Sequence, residues 1–337
     1  MILHKEISEI NIAQWHKLLE ESSTATFFQT KECYDFYASL SFLTPFVFGV
    51  SENNQLVGVI CGYIISEGNN LKRFFSRRAI VPGGALLSNE ISSEALRTLF
   101  DTISQILSKK AIYIELRNFN DYTSFQSTIE SADFSYQTHY DIKVETVDEE
   151  SLLQKLSESK RRQLKSSQNI GVSWEVSTKQ VDVEAFYKIL KHLYQTKVKK
   201  PLFPLEFFEK LVGQPYGKLL IVKYKSQVIG GMACVILENQ TLYEWFVCGE
   251  EREEKDIYSS VVATWAGIEY AAKNKIPRFD FMGAGTPDQD YGVREFKRKF
   301  GGKLVEHGRF LYICSGVLYN LGKMVISVTK KNNLHFS

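Results

Sequence analysis

Proline is scarce, with seven in 337 residues. That excludes a proline-rich arm or a long extended linker. Cysteine is scarce as well: five residues, odd in number and scattered (Cys33, Cys61, Cys234, Cys248, Cys314), with no Cys-x-x-Cys pair. A disulfide framework and a thiolate zinc knuckle are thereby excluded, and buried free thiols in a reducing compartment are expected. The six histidines show no metal-ligand spacing, and neither His-Glu-x-x-His, Gly-x-Ser-x-Gly nor a P-loop motif occurs. No metal and no tightly bound cofactor is expected. Charge is nearly balanced at +2 net, too little for a general nucleic-acid surface, so any anion site must be local. No apolar run approaches the roughly 18 residues that span a bilayer, and the N-terminus lacks a signal-peptide core. A cytoplasmic protein is the expectation.

Aromatic residues are plentiful, 23 Phe and 17 Tyr, which suits sheet-rich cores. Early apolar stripes, Trp15/Leu18/Leu19 and Phe36/Tyr37/Leu40, read as helices. Pro-Phe-Val-Phe-Gly-Val from Pro45, a polar Asn-Asn turn and Leu56–Ile65 then read as a β-hairpin. Ser92–Ser108 carries a helical stripe, followed by the strand Ala111–Leu116. The same order returns later: a hairpin around Lys225-Ser226, a third strand Thr241–Val247, a long helix Ile257–Lys273 and the strand Arg278–Met282. FGVSENNQLVGVICGY resembles IVKYKSQVIGGMACVI at an offset of about 170 residues, so the chain reads as a duplicated α+β domain. Thr146-x-x-Glu149 looks like a capping box that opens a basic helix. The boundary is therefore placed there, giving domains 1–147 and 148–337. Leu318, Leu321, Val325 and Val328 form a late helical stripe for packing on the body or lying on a membrane surface.

The stretch RFDFMGAGTPDQDYGVREFKRKFGG, Arg278–Gly302, is the centre of the chemical argument. Its glycines bring backbone amides close to a ligand, and a basic helix follows. Gly283-x-Gly285 lacks the third glycine of a dinucleotide fingerprint, since Asp288 stands there. Basic clusters recur at Lys72/Arg73/Arg77/Arg78, Lys160–Lys165, Lys197–Lys200 and Arg294/Lys297/Arg298/Lys299/Lys303. Each alone reads as a solvated face. Together, beside Tyr194, Trp245, Tyr291 and Phe296, they point to a phosphate-bearing ligand. Arg294 and Lys297, three apart, share a helix face towards it. Amide formation from an activated acyl group needs alignment, an oxyanion stabiliser and a base rather than a covalent nucleophile. Glu244 and Asp280 are the candidate bases.

SKRRQLKSSQNIGV, FYKILKHLYQTKVKKPLFPLEFFEKL, the VIGG hairpin and FDFMG…GVREFKRKFGG together resemble the Fem family of peptidoglycan bridge-forming aminoacyltransferases. The likeness is close over roughly residues 148–313 and is one of layout before that. It implies two tandem GNAT-like (acetyltransferase-type) domains, each a mostly antiparallel sheet flanked by helices. It implies an N-acyltransferase acting on an amine of a cell-envelope precursor such as a peptidoglycan muropeptide. The donor co-substrate would be an aminoacyl-tRNA, and a lipid-linked acceptor would bring the protein to the membrane surface. Lys297 matches the family's site lysine, with Glu244 and Asp280 beside it as catalytic candidates. Arg294, Tyr291, Lys197, Lys199, Arg161 and Trp245 are the candidates for substrate binding, basic side chains holding the acceptor diphosphate. No long helical hairpin interrupts the second domain, which leaves acyl-CoA as the alternative donor, on an amino sugar or small amine. Against it, Arg252–Ile257 is acidic and lacks the glycine-rich turn that pyrophosphate requires. A non-catalytic glycan-phosphate binding protein is the third reading.

Overall fold

A computed structural model describes residues 1–66, 76–146, 149–250, 254, 256–288 and 292–322. The chain forms two compact units, Met1–Thr138 with the chain from His307 onward, and His139–Glu306.

In the first unit, β1 (Ile2–His4), β2 (Thr44–Glu52), β3 (Gln55–Ile65), β4 (Arg78–Gly83), β5 (Leu86–Leu87), β6 (Tyr113–Asn118) and β7 (Ser135–Gln137) form one sheet with a strand from near the C-terminus. Alternation along β2 feeds two cores. Phe46, Phe48 and Val50 pack with Leu96, Leu99, Phe100 and Ile103 of the helix Ser93–Leu107. Val47 joins Trp15, Leu18 and Leu19 of the helix Ile12–Glu21. Both helices start where a short polar side chain accepts a first-turn amide: Asn11 from Gln14 N at 3.1 Å and Ser92 from Ala95 N at 3.1 Å.

The second unit contains β8 (Tyr140–Glu145), β9 (Ser173–Val176), β10 (Gly217–Tyr224), β11 (Gln227–Leu237), β12 (Thr241–Gly249), β13 (Arg278–Asp280) and β14 (Lys303–Glu306), in the order β14-β8-β13-β12-β11-β10-β9. The helix Ser259–Lys273 packs Val262, Ala266 and Ile268 on one face. Gly267 permits its close approach, since a Cβ there would lie 2.5 Å from Met232 Sδ. The helices Gln180–Leu193 and Leu205–Val212 bring Phe186, Phe207 and Phe208 to the sheet.

The duplication extends to backbone detail. The hairpin β2–β3 has a register shift at Val50/Ser51 and a turn at Asn53-Asn54 with φ of 48° and 62°. The hairpin β10–β11 has the shift at Val222/Lys223 and the turn at Lys225-Ser226, with φ of 48° and 66°. Both features recur at one offset, 172 residues. Two left-handed residues are what a tight hairpin turn requires; Lys225 and Ser226 adopt the strained conformation without the usual Asn or Gly.

Chain order and unit membership part company at two points. After β7 the chain enters the second sheet as β8, between β13 and β14. After β14 it returns as β15 (Arg309–Ile313), between β6 and β7. The first unit is thus discontinuous in sequence and the second runs unbroken over His139–Glu306, so a single cut at 147/148 does not describe the compact units. The capping box expected over Thr146-x-x-Glu149 runs through 147–148, which lie outside the described residues. The Thr146 hydroxyl donates to the Ile276 carbonyl, and the basic stretch is two helices, Glu149–Lys155 and Glu158–Asn169. Cys33, Cys61, Cys234 and Cys248 are buried free thiols. Among the described residues no helix is long and apolar enough to cross a membrane. The C-terminal stripe is described only through 316–322, and Val325 and Val328 lie outside the described residues.

Candidate active site

Among the described residues each unit contains one parallel strand pair, and the two pairs end differently. In the first unit β4 and β6 stay in register from Ala79↔Ile114 to Gly83↔Asn118. Their far end is sealed: Gln29 Nε2 donates to the carbonyls of Gly83 and Gly84 at 3.0 and 3.1 Å, and Tyr122 Oη to that of Ala85 at 2.5 Å. In the second unit β12 and β13 pair only from Thr241↔Arg278 to Tyr243↔Asp280. Beyond that point β12 continues along β11 to Gly249, while the chain after Asp280 turns away through Met282 and Gly283 at φ of 55° and 120°. Glu244 is the first residue of β12 past the paired segment.

Glu244 is 5% exposed. Its Oε1 lies 3.4 Å from Lys297 Nζ, and its Oε2 has no hydrogen-bond partner among the described residues. Burial pushes its carboxyl up to about 7, with Lys297 opposing the shift. A register shift at Ala233/Cys234 falls directly opposite. Glu244 therefore turns to Lys297, whereas Trp245 and Phe246 both turn to Phe207, at ring distances of 4.8 and 5.6 Å.

The loop after β13 is closed upon itself. The Phe281 and Ala284 amides donate to the carbonyls of Ile142 at 3.1 Å and Tyr140 at 2.7 Å. The Met282 amide donates to Asp280 Oδ1 and the Gly283 amide to Asp141 Oδ1, each at 2.7 Å. Lys297 Nζ donates to the carbonyls of Phe281 at 2.7 Å and Gly283 at 2.9 Å. Arg294 donates to those of Ala284, at 2.8 Å, and Thr286. Its guanidinium also lies over the Tyr140 ring, 5.1 Å from the centroid. The expectation that these glycine-loop amides await an external anion is therefore corrected: two carboxylates of the same unit already occupy the Met282 and Gly283 amides. Arg294 and Lys297 share a face as expected, but that face is turned to the loop.

Lys297, Glu244 and Asp280 are thus brought together around the end of the parallel pair. Asp280, 1% exposed, is held well above the usual carboxylate range by burial and by Asp141, with Lys143 opposing from 3.6 Å. Lys197 and Lys199 are exposed on a π-turn, Tyr194–Val198, and its left-handed exit at φ 51°. That turn is docked through Tyr194 on Phe246, 6.3 Å between rings. Arg161 donates to the Leu156 carbonyl at 3.2 Å, so it closes the end of the preceding helix. Tyr291, Lys72, Arg73 and Arg252 lie outside the described residues.

Two residues of the cluster, Asp141 and Lys143, escaped the sequence reading. Tyr140-Asp-Ile-Lys-Val-Glu alternates as a strand with a solvent face; only the pairing of β8 between β13 and β14 buries Asp141 to 2%. Lys160 is likewise buried. Its Nζ sits 4.0 Å from the Phe296 centroid, and burial together with Lys299 lowers its amine to about 8.

Residues 217–326 match the model of the FemAB family; they include Glu244, Asp280 and Lys297. Among solved structures, the crystal structure of FemX is 14% identical, with a TM-score of 0.71 over 95% of this chain and 99% of that one. The C-terminal domain of a putative lysylphosphatidylglycerol synthetase from Agrobacterium fabrum is 11% identical, with a TM-score of 0.59 over 94% and 95%. A tandem GNAT protein from the clavulanic acid biosynthesis pathway is 10% identical, with a TM-score of 0.56 over 93% and 99%. At these identities the likeness is one of fold: two tandem GNAT-like units, α+β, as expected. No curated protein sequence matches the chain.

Proposed function

We propose that the protein is an N-acyltransferase that moves an aminoacyl group from an aminoacyl-tRNA to an amine of a cell-envelope precursor such as a peptidoglycan muropeptide. The observation that carries this reading is Glu244, a buried carboxyl with a proton affinity near neutrality and one oxygen unengaged. It stands where β12 and β13 part, inside the segment that matches the FemAB family. The acceptor amine attacks the acyl carbon; a C–N bond forms, the ester C–O bond breaks, and the departing oxygen takes up a proton. Glu244 Oε2 accepts the proton the amine sheds, which a carboxyl near 7 does efficiently at physiological pH.

Lys297 serves this step by holding Glu244. Its ammonium has three N–H groups, and Phe281 O, Gly283 O and Glu244 engage them. Recognition of the acceptor diphosphate falls instead to the exposed Lys197 and Lys199, on the turn that Tyr194 docks on Phe246. Such an acceptor, when lipid-linked, brings the protein to the membrane surface.

The test uses purified protein with UDP-linked and lipid-linked muropeptides, offered charged tRNA in one arm and acyl-CoA in another. The acceptor mass is the readout. An increment from charged tRNA alone is expected. Transfer from acyl-CoA alone supports the second reading, a GNAT-type enzyme, and no transfer from either donor overturns both.

A further inference from the structure

We propose that Asp141 is a positioning residue for Glu244, and that Asp141 and Asp280 perform this role by sharing a single proton. The inference rests on Glu244 as the base of the proposed reaction.

The geometry forms a chain of contacts. Asp141 Oδ1 accepts the Gly283 amide at 2.7 Å. The carbonyl of the same glycine accepts from Lys297 Nζ at 2.9 Å, and Lys297 Nζ faces Glu244 Oε1 at 3.4 Å. Gly283 stands at φ 120°, a region glycine enters freely, so the bonds on its two sides decide which way its peptide groups point. Asp141 anchors its N–H side and Lys297 its C=O side. Asp141 also accepts the Ile142 amide at 2.7 Å, which fixes its own carboxylate on β8.

The shared proton follows from the oxygens left over. Asp141 Oδ2 and Asp280 Oδ2 are both buried with no hydrogen-bond partner among the described residues, and the other oxygens of the two carboxyls hold adjacent amides, Gly283 and Met282, which sets the side chains next to one another. Asp280 Oδ2 faces the Lys143 ammonium at 3.6 Å, beyond hydrogen-bond distance, so two bare carboxylates side by side would leave neither oxygen hydrogen-bonded and the pair repelling. One proton on Asp280, donated to Asp141, satisfies both. Charge counting agrees: three buried carboxyls (Asp141, Asp280, Glu244) face two half-buried ammoniums (Lys143, Lys297), so a single proton makes the set neutral. With that proton kept in the aspartate pair, Glu244 is free to ionise as a base. The other titratable groups facing the pair are Tyr243, beside Asp280 on β12, and His139, whose Nε2 lies 3.5 Å from the Cβ position of Gly283.

The test compares Asp141→Ala with Asp141→Asn in the full chain. Asparagine keeps the acceptor for Gly283 and supplies an N–H to Asp280, replacing the shared proton; alanine supplies neither. For Asp141→Ala, kcat is expected to fall by at least about 30-fold with KM nearly unchanged, and the acid limb of the kcat–pH profile should move. Asp141→Asn should recover most of the rate. An unchanged kcat and acid limb in folded Asp141→Ala, or an inactive but folded Asp141→Asn, overturns the proposal. Carbon-13 NMR of aspartate-carboxyl-labelled wild-type protein tests the shared proton without any assay. One buried aspartate should stay in its acid form through neutral pH, and two ionised carboxylates would overturn the pairing. Absence of transfer by the wild-type protein, with that NMR signature present, would fault the proposed reaction and not the aspartate pair.

Discussion

Lys297 Nζ stands 3.4 Å from Glu244 Oε1 while donating to two loop carbonyls, those of Phe281 and Gly283. One side chain therefore neutralises the buried carboxyl and fixes the backbone that turns away from β13. Lys297→Met should leave Glu244 buried without its cation, raising its carboxyl beyond about 7. At neutral pH, kcat is expected to fall by about 100-fold and to recover partly as pH rises. Steady-state kinetics from pH 6 to 9 check this; a pure KM effect with an unmoved profile would assign Lys297 to substrate binding instead.

Glu244 also makes stability depend on pH. Its folded value, about 7, lies above its ordinary 4.5. The folded state thus favours the protonated form, and its contribution is complete below 4.5 and lost as pH rises to about 7. The change amounts to about 3 kcal/mol. Thermal melts of the wild type should decline across that window, and Glu244→Gln should flatten the decline.

The first unit offers a contrast in sign. Glu115 binds Arg117 through Oε2 at 2.8 Å and Arg309 through Oε1 at 2.7 Å. Burial opposes its ionisation, but the two arginines prevail and hold the carboxyl down at about 2. Its contribution is present above 4.5 and lost as pH falls towards 2. Glu115→Ala leaves two neighbouring guanidiniums without their bridge, and about 3–5 kcal/mol of stability should go with it, measured by urea denaturation. Because Arg309 comes from β15, the loss should be felt where the C-terminal strand joins β6.

Gly231 tests packing alone. A Cβ there would fall 2.5 Å from the Leu220 carbonyl and 3.2 Å from Phe186. Backbone cannot yield cheaply, so Gly231→Ala should cost about 1–3 kcal/mol. An unchanged urea midpoint would mean that β10 and β11 separate more readily than their register suggests.

Sequence alone determined the elements and their repetition. Apolar spacing of 3.6 and 2 and the Asn-Asn turn are local signals, and local physics suffices to read them. The hairpin repeat and the FDFMG and FKRKFGG segments pointed to a tandem GNAT-like chain and held Asp280 and Lys297, with Glu244 named beside them as a candidate base from the strand Thr241–Val247. Only tertiary structure decided what those residues face. Strand alternation cannot say which sheet a strand joins, so the entry of β8 into the second sheet, the return of β15 to the first and the burial of Asp141 were invisible. A basic helix beside a glycine loop looks the same whether its anions are ligands or its own carboxylates. Here the loop amides were already taken by Asp141 and Asp280, and Lys297 by Glu244. The reason is physical: a residue's charge is written in the sequence, whereas its partner and its dielectric are set by what folding packs around it, as Asp141 reaches Gly283 from 142 residues away.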